Sequence, residues 1–355
     1  MTGSLEDVVR AQREGCRIGG STLYTDVLDR VALDVRGGGP CRAVLEPFGA
    51  EPHAAAAVLR FLAAVHALVL DGEAPDLAAH YPSAGGAPGP GLGDAFVATV
   101  GAHAALLVER THDPIQTNEV GRSASLVGGF LLLAATGPPL RVLEIGASAG
   151  LNLLFDQFRF GSGPGAIGPA DAPVRFDDPW AGGPGPRPGP LPVAERRGCD
   201  ARPLDPAQPA DRLRLRAALW PDQPERRRRL DAALEVAARV PAPVDRADAA
   251  TWLPARLDRR VPGTTTVVVH SIVAQYLAPA TRRTVEAAIA EAGRRATADA
   301  PIAWLRMEPA SATEAEVRLT RWPGAGAGAH AAVDAGATRV LARSAFHGPP
   351  VRWRG

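Results

Sequence analysis

The sequence contains no lysine: arginine supplies all 39 basic residues, against 38 acidic ones, for a formal charge of +1. That absence excludes a Schiff-base lysine, hence ordinary pyridoxal-phosphate chemistry, and excludes a lysine-bearing phosphate loop. The balance of charge leaves no global field to draw the chain to nucleic acid or to a membrane surface, and neither is expected as a partner. Cys16, Cys41 and Cys199 are odd in number, widely spaced and outside any paired motif, so neither a disulfide framework nor a metal site is expected. No apolar run approaches the roughly 20 residues of a membrane span. Glu6 and Asp7 make the first residues unlike a signal peptide, and a cytoplasmic protein is expected. Tyrosine and asparagine are reduced to Tyr24, Tyr81, Tyr276, Asn118 and Asn152.

What the sequence does have is organised around residues 141–152. Val142, Leu143 and Ile145 read as a buried strand; Gly146, Ala147, Ser148, Ala149 and Gly150 form a small-residue turn; Leu151, Leu153, Leu154 and Phe158 supply a helical stripe. Free amides at such a turn can meet a polar or anionic ligand group. Two chemistries use this shape. One is a nucleoside-cofactor turn with an acid, Glu144, at the strand end. The other is a Gly-x-Ser-x-Gly nucleophile elbow presenting Ser148.

With 355 residues, about two domains are expected. Residues 1–138 read as a helical N-terminal domain or cap, in which 54–70 is a packed core helix and His66 a hydrogen-bonded core histidine. A further helix is expected over 94–110. The polar cluster Gln116, Thr117, Asn118, Glu119 and Arg122 either caps the next helix, through Thr117 or Asn118, or lies over a ligand mouth. Residues 139–355 read as a second domain. Its 161–192 segment has 17 Gly or Pro among 32 positions, which suits a linker, although Val174, Phe176 and Trp180 offer anchors for an ordered flap.

Beyond it, Gly198, Asp200 and Pro203 suit the turn after a second parallel strand, where a carboxylate meets ribose hydroxyls. The arginine run 226–229 is balanced by Glu225, Asp231 and Glu235 and is read as a solvated helix face. Residues 244–253 read as strand, acidic turn and helix. The β-branched run 264–269 reads as a central strand buried on both faces, ending at His270 and Ser271. A helix over 280–296, a strand over 302–307 ending in Glu308, and two closing strands near 316–322 and 338–346 complete the pattern. Alternation argues a parallel sheet covered by helices, and the closing pair an antiparallel edge hairpin.

These pieces resemble class I S-adenosylmethionine-dependent methyltransferases: Glu144 through Gly150 their first motif, 198–203 their ribose turn, and Asp248-Ala249 the acid-plus-small turn that meets adenine. More closely, the whole chain resembles an uncharacterised bacterial family, DUF2332. The matching stretches are 20–24, 66–83, 116–122, 144–153, 198–200 and 270–277. The resemblance implies a Rossmann-like methyltransferase fold behind a helical domain. It also implies a cofactor, S-adenosylmethionine, held by Glu144, Gly146, Ser148, Gly150, Asn152, Asp200, Asp248 and Ala249. His270 stands where a methyl acceptor would lie and is the expected general base, with Tyr276 and Glu119 beside it. Gln116, Asn118, Arg122, Ser271 and Gln275 are the residues expected to orient a small-molecule substrate.

Three alternatives stand beside this expectation. The fold is repurposed for a displacement or ring closure that no longer uses the methyl donor. Or the chain is a non-catalytic partner subunit with a vestigial pocket. Or it is a hydrolase using Ser148, with Asp248 and with His270 or His347 as the triad partners.

Overall fold

The computed structural model describes residues 4–49, 54–135, 137–324 and 335–355. They form two compact units, the first made of 4–117 and 207–228, the second of 118–206 and 229–355, together a mixed α/β architecture with an N-terminal helical region.

The first unit is helical: α1 (Leu5–Ile18), α2 (Thr22–Gly37), α3 (Pro40–Leu45), α4 (Ala54–Leu70), α5 (Pro75–Ala78), α6 (Leu92–Ala102) and α7 (Ala104–Thr111), joined by the later helix α9 (Pro209–Ala217). Ser4 and Ser21 cap α1 and α2 through their hydroxyls. Val27, Val31, Val58, Phe61, Leu62 and Phe96 lie in one core, so the apolar α4 is buried within the unit. His66 is the core histidine expected of it. Its Nδ1 lies 3.1 Å from the Ala217 carbonyl and its Nε2 2.8 Å from Ser83 Oγ, and burial lowers its pKa to about 4. The single helix expected over 94–110 breaks at His103 into α6 and α7, which bend by 88°. No single helix among the described residues is long and apolar enough to cross a membrane.

The second unit is built on an eight-stranded sheet. Its strands are β1 (Leu140–Ile145), β2 (Val193–Asp200), β3 (Val244–Arg246), β4 (Thr265–Ser271), β5 (Ile302–Pro309), β6 (Ala315–Trp322), β7 (Thr338–Ala345) and β8 (Gly348–Trp353), in the order β8-β7-β6-β5-β4-β1-β2-β3. The five strands from β5 to β3 are parallel, and β6, β7 and β8 extend the sheet antiparallel. The extension therefore has three strands where the sequence suggested two; Gly348-Pro349-Pro350 at the start of β8 reads as loop chemistry, but the strand lies on the sheet edge, where proline is tolerated. β1 and β4 are buried along their whole length, as a central parallel pair requires.

Helix α8 (Arg122–Ala134) packs on β5, β7 and β8 and shares a core with Val142, Val267, Val269, Leu305 and Met307. On the opposite face α11 (Ala249–Asp258) and α12 (Pro279–Arg294) cover Leu143, Ile145 and Val268. The 161–192 segment is ordered: Arg159–Phe160 pairs with Arg175–Phe176, the two phenylalanine rings stack at 5.2 Å, and Trp180 bridges to Val351.

Two further expectations change. The helix expected after the glycine turn is a 3-10 stretch, Leu151–Gln157. Arg196 takes the Leu153 carbonyl at 2.8 Å and pairs with Asp156, withdrawing a group an α-helical ladder would use. The arginine run at the start of α10 (Pro224–Ala237) is not simply a solvated face: Arg226 is buried over the Trp220 ring and Arg229 lies 4.9 Å above Phe176.

Candidate functional site

The parallel strands run third, second, first, fourth, fifth, so the order reverses between β1 and β4. Ligands of open α/β sheets bind beyond the carboxyl ends of the strands at such a reversal. Glu144 sits there, 3% exposed. Gly146, Ser148 and Gly150 have φ of 66°, 54° and 73°, so three of the five turn residues are left-handed, and the two glycines take this conformation without steric cost. A Cβ at Gly198 of β2 would lie 2.4 Å from Ala147 Cβ, so the turn rests directly on the neighbouring strand.

Side chains occupy the amides of this turn. Asp200, at the end of β2, accepts from Ser148 N at 2.9 Å and from Arg202 N at 2.9 Å. Asn118 Oδ1 accepts from Ala149 N at 3.2 Å and Leu151 N at 3.0 Å. Asn118 therefore caps the turn rather than α8, whose N-cap is Gly121. The adjoining residues complete the cluster. Asn152 Nδ2 donates to the Glu119 carbonyl, Glu119 Oε1 accepts from Gly121 N, and Arg122 donates to the carbonyls of Ser271 and Phe346. Replacing Asn118 with Ala strands two buried amides. A loss of about 2 to 3 kcal/mol is expected in urea unfolding, and a loss below about 1 kcal/mol would mean the turn finds other acceptors.

Several polar atoms in this cluster are buried and lack a protein partner: Glu144 Oε2, Ser148 Oγ and Asn152 Oδ1. Burial pushes the Glu144 carboxyl up to about 8; the Arg122 guanidinium opposes that rise and Asp200 adds to it. A carboxyl raised this far favours its protonated form at neutral pH.

His270 is placed elsewhere. In the parallel register Glu144 lies beside Val269, which lies beside Leu305, so His270 is one residue further along and faces the α11/α12 side. Its Nδ1 is 2.6 Å from Glu308 Oε1, and its Nε2 accepts from the Trp304 indole at 3.0 Å. An indole N–H only donates, so Nε2 is the bare nitrogen and Nδ1 carries the proton. Both nitrogens are engaged, which leaves no lone pair for a substrate proton. Arg306 stacks 3.8 Å over the Trp304 ring. Trp304 and Arg306 went unmarked in the sequence, and Glu308 was marked only as the end of a strand, although the three alternate along β5, the period that puts residues on one face.

The remaining expected residues scatter. Asp248 is the N-cap of α11, accepting from Ala250 N at 2.7 Å, with Ala249 as the first helical residue. Gln275 and Tyr276 form a 3-10 turn after β4, where Tyr276 is 56% exposed. Gln116 belongs to the helical unit. Ser148 Oγ has no histidine bonded to it, so the contact an activated nucleophile requires is not made. Among the described residues no group of His, Cys, Asp or Glu is arranged to hold a metal ion.

No curated protein matches the chain, and no solved structure matches it. A family model described as an uncharacterized protein conserved in bacteria, DUF2332, matches residues 6–353, and the chain belongs to that family.

Proposed function

We propose that the chain is a methyltransferase-like enzyme acting on a small molecule, with a Rossmann-like sheet edge that binds S-adenosylmethionine at Glu144, the 146–150 turn and Asp200. The observation that carries this reading is the set of buried atoms without partners. Glu144 Oε2 and Asn152 Oδ1 are acceptor positions, and Ser148 Oγ joins them. Each costs on the order of 1 to 3 kcal/mol if left unpaired, so a ligand bearing hydrogen-bond donors recovers that energy. An ammonium group suits Glu144, and ribose hydroxyls suit a carboxylate such as Asp200. The turn amides at Ser148, Ala149 and Leu151 are already bonded, which disfavours a phosphate at this place and favours a nucleoside without one.

When bound, the cofactor supplies an activated methyl group for in-line displacement. The protein's part is positioning and exclusion of water. The methyltransferase resemblance would give the adenine end to Asp248 and Ala249, and Arg122 balances charge beside Glu144. Because both nitrogens of His270 are engaged, this reading withdraws proton acceptance from His270.

A second reading, a fold repurposed for a reaction without the methyl donor or kept as a non-catalytic subunit, draws on the same bonded amides, since Asn118 and Asp200 complete the turn without any ligand. Calorimetric titration with S-adenosylhomocysteine separates the two. One-to-one binding at pH 7 is expected to release close to one proton, read from the dependence of the enthalpy on buffer ionisation, because an ammonium beside Glu144 ionises it. Ligand at 100 times its Kd is expected to stabilise by about 2.7 kcal/mol. Absence of binding by cooperatively melting protein would transfer the conclusion to the second reading.

A further inference from the structure

The segment after β4 is gripped from both faces of the sheet. Arg122 holds the Ser271 carbonyl at 3.0 Å on the α8 side. On the other side a single oxygen of Glu308 meets three donors: His270 Nδ1 at 2.6 Å, Val273 N at 3.1 Å and Ala274 N at 3.3 Å. Between these grips Ile272 has a φ of 54°, a left-handed conformation that a β-branched side chain adopts only when its surroundings impose it, and its N–H donates to the Met307 carbonyl at 2.8 Å. Val273 then leans on the ligand turn. A Cβ at Gly146 would lie 2.6 Å from Val273 Cγ2, so the two are in direct contact.

Glu144 Oε2 and Ser148 Oγ are both closed off in this conformation, so a ligand that reaches them needs the turn to move. We propose that Glu308 is a positioning residue whose carboxylate locks the strained 272–274 segment and, through Val273, the 146–150 turn, so that segment and turn open as one. That the opening admits a ligand rests on the reading above; the lock itself does not. Glu308 bears on the site from the opposite face of the sheet.

Amide hydrogen exchange on the full chain tests it, with Glu308→Ala, Glu308→Gln and Val273→Ala compared. In Glu308→Ala, exchange at 272–276 and at 146–150 is expected to quicken roughly tenfold to a hundredfold, the range for losing hydrogen bonds to a charged group, while 265–269 in β4 keeps its protection. Glu308→Gln retains a carbonyl oxygen for the two amides and is expected to restore most of the protection. A merely structural glutamate would instead raise exchange uniformly through the second unit, and that result overturns the proposal. Should Glu308→Ala fail to fold, Val273→Ala decides, since it removes the side chain at Gly146 and leaves the amide bonds to Glu308. Faster exchange at 146–150 alone supports the coupling, and unchanged exchange there refutes it. Titration of the same proteins with S-adenosylhomocysteine is scored separately: no binding by any of them sinks the cofactor reading and leaves the exchange result standing.

Discussion

Glu144→Gln is expected to make the protein more stable at pH 8 than the natural sequence, by on the order of 3 to 5 kcal/mol, and to leave it within about 1 kcal/mol at pH 4.5. The sign follows from the direction of the shift. Burial raises the carboxyl from 4.5 to about 8, so the folded state holds a proton that the unfolded chain has already released over that interval. The contribution of Glu144 is full below about 4.5 and is lost at about 1.4 kcal/mol per pH unit as the pH climbs to about 8. Glutamine has nearly the same shape and cannot ionise, so its curve lacks this decline. Other titrating groups, such as His66 with its lowered pKa, act equally on both proteins and cancel in the difference. Urea midpoints for the pair from pH 4.5 to 8.5 make the measurement. Parallel curves would mean that Glu144 is solvated or paired in solution. The same variant is expected to lose the ligand, because a neutral amide cannot take up an ammonium as a carboxylate does; stability and binding then move in opposite directions, as they do where a site stores unfavourable burial.

The second large effect is expected at Gly348. Its φ is 100°, and a Cβ there would lie 2.1 Å from the Gly121 carbonyl oxygen and 2.4 Å from its carbon. The approach is reciprocal: a Cβ at Gly121 would lie 2.1 Å from the His347 carbonyl oxygen. Backbone faces backbone, so no flexible side chain can give way. Gly348→Ala is therefore expected to cost more than about 4 kcal/mol or to abolish folding. Gly163→Ala provides the control, since Gly163 also has a positive φ, of 66°, but has nothing within 4 Å of the added carbon. It should lose only about 1 to 2 kcal/mol. Similar melting temperatures for the two variants would refute the close approach. The site has a stake in the result, because Gly121 precedes Arg122 and donates its amide to Glu119.

The parts that were legible in the sequence are those that local pattern fixes. Thr265 to Val269 announce a central strand by β-branching, Glu144 and the small-residue turn announce the carboxyl end of a central parallel strand, and the apolar helix around His66 announces a core. What was not legible depends on register and on distant partners. Whether His270 shares a face with Glu144 turns on a one-residue offset between β1 and β4, and no local pattern carries it. Asn118 looks like a helix cap because caps are usually local, yet its acceptor reaches amides more than thirty residues away. Glu308 appeared only as the end of a strand; its role comes from the amides of a segment on the neighbouring strand's far end.

The helical unit has a further property, which bears on synthesis. It is discontinuous: α9 and the residues to 228 return to it after β1 and β2 have been made. Asp222 accepts from Ser21 Oγ and Leu23 N, and the Ala217 carbonyl lies 3.1 Å from His66 Nδ1, so these polar groups of α2 and α4 wait for their partners until those residues leave the ribosome. By then β1 and β2 have emerged, but β4, which flanks β1 on its other side, has not. Nascent β1 therefore waits with one edge open while the helical unit closes, the interval in which an apolar strand is most exposed to wrong pairing. The order of the genetic message thus sets a period of vulnerability for the strand that carries Glu144, and slowing translation between residues 228 and 271 would lengthen it.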